Sequence, residues 1–96
     1  MNSEVKARLS EKIEAIKKIR LELIDDYNEV VSVYEATDKQ MKELRRNPAA
    51  DEKEGDRLWN ERQEARITAC QIQSAINNLG DALCRMGENV ETFWGK

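Results

Sequence analysis

Few side chains in this chain of 96 residues could carry covalent or metal chemistry, and their spacing argues against most of it. There is no histidine, which removes the commonest general base and metal ligand. Asp25 and Asp26 are paired carboxylates, but adjacent residues point to different faces of a helix, and the Glu-x-x-His pattern of helical di-iron sites is missing. No Cys-x-x-Cys spacing, glycine-rich phosphate loop or nucleophile elbow occurs. Cys70 and Cys84 would stand about 21 Å apart on one helix at ~1.5 Å per residue. A disulfide needs Cα atoms within about 7 Å, so the pair reads as two reduced thiols. The expectation is a chain that is not an enzyme and holds no metal and no cofactor. What remains is recognition, for which Trp59 and Trp94 are the natural anchors.

The elements that position these residues are written in two apolar ladders. One runs Leu9, Ile13, Ile16, Arg20, Leu23, Tyr27, Val30, Tyr34, Thr37, Met41, Leu44. The other runs Leu58, Arg62, Ala65, Ala69, Ile72, Ile76, Leu79, Leu83, Met86, Val90, Phe93. Both alternate steps of four and three, the rhythm of a coiled-coil seam. Folded at the single proline, they match layer by layer, Leu9 with Phe93, Leu23 with Leu79 and Leu44 with Leu58. The fold class read from this is all-α: one domain, residues 1–96, of two long antiparallel helices in a coiled-coil hairpin. The helices are expected at about 4–46 and about 58–94, with Gly95 as the final terminator and a loop at about 47–57. Asn47-Pro48 breaks the first helix. Apart from Pro48 itself, residues 48–57 carry nothing apolar larger than alanine, although Pro48 could also open the second helix as its first residue.

Charge narrows the partner. Residues 1–46 hold ten basic and ten acidic side chains, so the net −3 comes from residues 47–64. Asp51, Glu52, Glu54 and Asp56 form an acidic tip, and no basic stripe for nucleic acid is present. No apolar run is long enough for a bilayer, and no cleaved leader is evident, so the expected location is the cytoplasm or export without a cleaved signal.

A single seam is thin for ordering so long a chain, and the sequence shows where further cover belongs. Residues 67–80 contain no charge, and lie opposite the stretch where Ile19, Ile24, Val31 and Val33 widen the first apolar face. Gly80 and Gly87 flank the second ladder one heptad apart, which suits close approach of another backbone. The partner-binding set is Ile19, Ile24, Val31, Val33, Ile67, Cys70, Gly80, Gly87 and Trp94. A protein partner or a second copy is expected to cover this uncharged central face and complete a four-helix bundle. The functional expectation is a small helical partner, adaptor or chaperone. The alternatives are an inhibitor that binds through the acidic loop end, and a coiled-coil scaffold subunit.

The size, the long paired helices and the central loop resemble the Trp-x-Gly family of small helical hairpins exported by bacterial type VII secretion. This chain has Gly55-Asp-Arg-Leu-Trp59 where that family has Trp-x-Gly, and Tyr34-Glu-Ala-Thr-Asp38 has the spacing of its export signal but falls inside the first helix. The resemblance implies a hairpin that pairs through its long face with a related helical protein; no functional residue is carried over.

Overall fold

With no Gly or Pro among its first 46 residues, the chain has nothing to interrupt a helix, and the computed structural model carries one over Ser3–Arg45 (α1). A second helix covers Glu52–Arg85 (α2), and the described residues are 3–47, 49 and 51–95. Pro48 lies outside them. Among the described residues there is no strand, and the two helices run antiparallel as a hairpin 71 Å long and 18 by 14 Å across. None of these helices is long and apolar enough to cross a membrane.

Helix α2 begins earlier than the ladder alone indicated. Asp51 caps it from extended backbone (φ −77°, ψ 127°), its Oδ1 accepting from the Lys53 amide at 3.0 Å. Glu52 and Glu54 occupy the first turn, where the helix dipole favours acids. The acidic residues therefore start the helix, and the loop expected to last until about residue 57 ends at Asp51. The shorter connection also shifts the pairing. A Cβ on Gly55 would lie 3.7 Å from Leu44 Cδ2, so Leu44 packs at Gly55, about one turn before Leu58.

The larger correction is at the other end. The second helix does not continue to Trp94 but stops at Arg85. Gly87 adopts φ +91°, its amide donates to Cys84 O at 3.1 Å, and the Glu88 amide donates to Leu83 O at 3.0 Å. These two bonds, with glycine in the left-handed region, are a Schellman stop. Gly87 thus ends the helix, in place of flanking its seam, and Gly95 is no terminator. The helices are unequal, 43 and 34 residues, and all described residues of α1 before Ile13 are exposed.

The buried residues other than Gly80 are ladder positions: Ile13, Tyr27, Thr37 and Met41 on α1, and Leu58, Ala65, Ile76 and Leu83 on α2. Thr37 is tolerated there because its hydroxyl donates to Val33 O at 2.8 Å. Ile76 and Leu83 lose essentially all contact with water, each contributing roughly 1.5–3 kcal/mol.

Because L side chains resist the left-handed region, Gly87→Ala should cost about 1 kcal/mol. The check is urea unfolding followed by helical dichroism, where the midpoint should fall with little change in slope.

Candidate functional site

Beyond Gly87 the chain turns back along α2, and this returning tail organises one flank of the hairpin. Lys17 Nζ pairs with Glu88 Oε1 at 2.9 Å and anchors the turn to α1. That contact, together with Glu14, raises the Lys17 pKa above its ordinary value, chiefly through the hydrogen bond to Glu88. The Cys84 thiol donates to Val90 O at 3.6 Å. Further along, Asn77 grips the tail with both ends of its amide: Nδ2 donates to Phe93 O at 3.0 Å, and Oδ1 accepts from the Phe93 amide at 2.8 Å. Gln73 Nε2 donates to Trp94 O at 2.9 Å. The level of α2 passed between Cys84 and Gln73 is roughly 16 Å at ~1.5 Å per residue. The four steps from Val90 to Trp94 reach at most about 13–14 Å at ~3.3–3.6 Å each, so the tail runs extended and the Cys84 and Gln73 side chains span the difference.

Two arginines in the seam hold this arrangement. Arg20 Nε donates to Ile76 O at 3.1 Å and its Nη2 to Glu91 O at 3.0 Å, so one guanidinium ties α1 to α2 and to the tail. Gly80 lies beside it. A Cβ there would stand 3.4 Å from Arg20 Nε and 3.5 Å from Val90 Cγ1. The close approach expected at Gly80 is thus supplied by a side chain and the chain's own tail. Arg62 Nη1 bonds Asp38 Oδ1 across the seam at 2.9 Å, and its guanidinium carbon lies 5.6 Å from the centre of the Tyr34 ring. Asp38 also pairs with Lys42 at 3.1 Å.

Phe93 does not meet Leu9. It packs edge-on against Tyr27 with ring centres 5.1 Å apart, and Tyr27 is only 4% exposed. Gly95, at φ +75°, lies against the Tyr27 hydroxyl so closely that any Cβ would clash.

The residues expected to bind a partner divide among several surfaces. Ile24, Val31, Cys70 and Gly80 belong to the flank along which the tail runs. Cys70 and Val31 line a groove of about 340 Å³ with Tyr27, Tyr34, Ala69 and Gln73. Ile19 and Val33, each about half exposed, lie on the opposite flank, where Val30, Val33, Ala65 and Thr68 line a second groove. Ile67, 51% exposed, lies two residues from both Ala65 and Ala69 of the seam and so points away from it, on the outer side of α2. Gly87 is at the turn. Trp94 is 82% exposed, no longer on a helix with Trp59 but carried by the tail. Of the acidic tip, Asp51 serves as cap and Glu54 is held by Arg57, which also bonds Glu61 at 2.7 Å. The Arg57 contact lowers the Glu54 pKa. Asp56 is exposed. Both cysteines are free and exposed. Among the described residues no group of side chains is placed to hold a metal.

Sequence reasoning missed Arg20, Gln73 and Asn77 as tail-binding residues. The available signal was an arginine within the first ladder, where an apolar residue is expected, and two amide side chains bordering the second.

Neither the family models nor the curated proteins nor the solved structures compared with this chain include a match.

Replacing Asn77 with Ala removes two bonds to the tail at a cost of about 1 kcal/mol or more. Exchange of the Phe93 amide proton should then accelerate by roughly tenfold or more, while amides in mid-α2 keep their protection. A second expectation concerns acid. The Lys42 hydrogen bond, followed by the charges of Lys42 and Arg62, holds the Asp38 carboxyl below its usual value of 3.8. Its contribution is complete above that value and is lost as pH falls through the lowered native pKa. Asp38→Asn should therefore flatten the fall in urea midpoint between about pH 5 and pH 2.

Proposed function

We propose that this chain is a non-enzymatic protein-interaction module that completes a helical bundle with a partner hairpin. The observation that carries the reading is the flank the tail leaves bare. Ile19 and Val33 stand there at 49% and 51% exposure, beside half-buried Leu23, Val30, Ile72 and Leu79. From Ile19 to Val33, about 21 Å at ~1.5 Å per residue, apolar side chains border the seam with Asp26 between them, a surface suited to ridges-into-grooves packing by another helix. Small Thr68, Ala75 and Ala82 on the same edge of α2 allow close approach. The hairpin shape shared with the Trp-x-Gly secretion hairpins is compatible with such pairing, and a partner or chaperone of that general kind is the specific version favoured here. An inhibitor acting through the acidic tip is less well supported, because Asp51 and Glu54 already serve the start of α2.

The test is a charge on the bare flank. Val33→Asp should abolish association, whether with a second copy in sedimentation or with a helical partner recovered from the native host, and leave helicity near that of the parent. Assembly that survives both Val33→Asp and Ile19→Asp contradicts the proposal.

A further inference from the structure

On the opposite flank from the proposed pairing surface, we infer that the groove holding residues 88–95 is a receptor for extended peptides of the pattern aromatic–any–glycine, with the chain's own tail as its built-in competitor. The tail is held chiefly through its main chain. Its backbone is read by side chains that take no account of sequence: Arg20 at Glu91 O, Asn77 at both polar groups of Phe93, and Gln73 at Trp94 O. Main-chain capture of this kind gives affinity to any extended segment, and selectivity then rests on the side-chain positions.

Those positions are well defined. The Phe93 site is the edge of the Tyr27 ring, 5.1 Å between centres, which asks for an aromatic side chain. Trp94 points to solvent at 82% exposure and is unconstrained. At Gly95 the Tyr27 hydroxyl excludes any Cβ, so glycine is required.

Two observations make the tail displaceable. It is joined to α2 through the single left-handed turn at Gly87, and its side chains stay exposed or half-buried, so that beyond the Lys17–Glu88 pair and one aromatic contact it is held chiefly by main-chain hydrogen bonds that any extended segment could make. The groove also runs on past Gly95 into the 340 Å³ cleft of Val31, Tyr34, Ala69 and Cys70, rimmed by Glu35 and Arg66. A peptide extending beyond its glycine with apolar residues would bury surface in that cleft which residues 88–95 do not use.

The test uses the full chain and one probe, a synthetic peptide of residues 88–95 extended by two leucines, titrated while the side-chain amide resonances of Gln73 and Asn77 are followed. Phe93→Ser and Gly95→Ala weaken the tail without altering the groove. The first removes the aromatic contact, and the second forces the end of the tail off Tyr27. The probe should shift both resonances in each variant with an apparent affinity at least tenfold tighter than in the parent chain, where the tail competes. Carrying Phe93→Ser in the probe itself should abolish the shift. Retained helicity in either variant, with no probe binding there, overturns the inference. So does equal affinity for the parent and both variants, because the tail would then not be the competitor.

Discussion

A guanidinium placed in an apolar seam must find acceptors, because its desolvation is otherwise uncompensated. At Arg20 the acceptors are two main-chain carbonyls from different parts of the chain, Ile76 in α2 and Glu91 in the tail. The Arg20 guanidinium passes beside residue 80, one turn further on, where a Cβ would stand 3.4 Å from its Nε. The Glu91 carbonyl is available only because the chain reverses at Gly87. One cation in the seam thus lies against Gly80 of α2 and takes an acceptor from the tail that Gly87 turns back beyond the helix end. The second seam arginine works differently. Arg62 reaches a carboxylate at the edge, Asp38, through Nη1 and leans on Tyr34, but leaves its buried Nε without an acceptor among the described residues, and it joins the helices without recruiting a third segment.

The reversal divides the hairpin into unlike sides. On one, Tyr27 is sealed by Phe93 and Gly95, and polar side chains of α2 are occupied with the tail backbone. On the other, the apolar border of the seam lies open from Ile19 to Val33. The uncharged stretch of residues 67–80 is therefore explained in two halves. Asn77 is neutral because an amide can both donate and accept toward a backbone, and Gln73 beside it donates to the tail carbonyls. Thr68, Ala75 and Leu79 are neutral because they border the bare flank.

Much of the fold was legible because helical periodicity needs nothing beyond the spacing of apolar residues. The ladders located both helices, their antiparallel pairing and the breadth of apolar surface at mid-length. The helix ends were harder to read, for a physical reason. Val90 and Phe93 fall in seam register after Met86, so apolar spacing alone describes a helix that the backbone does not continue. The local signals pointed the other way. Asn89, Val90 and Thr92 are poor helix formers, and a glycine before them is a natural stop. The start of α2 shows the converse: capping chemistry at Asp51, with acids in the following turn, began the helix before any apolar residue did. The ladders placed Ile19 and Val33 on one flank and Ile24 and Val31 on the other, but not Gly87 or Trp94, nor the occupant of the tail flank, since these depend on a reversal in the chain.

The position of Phe93 tests this account most directly. Proton–proton contacts measured by nuclear magnetic resonance between the Phe93 and Tyr27 rings, together with contacts from Gly95 to Tyr27, are the expected result. Contacts from Phe93 to Leu9, with a helical pattern running unbroken from Met86 through Val90, would contradict it.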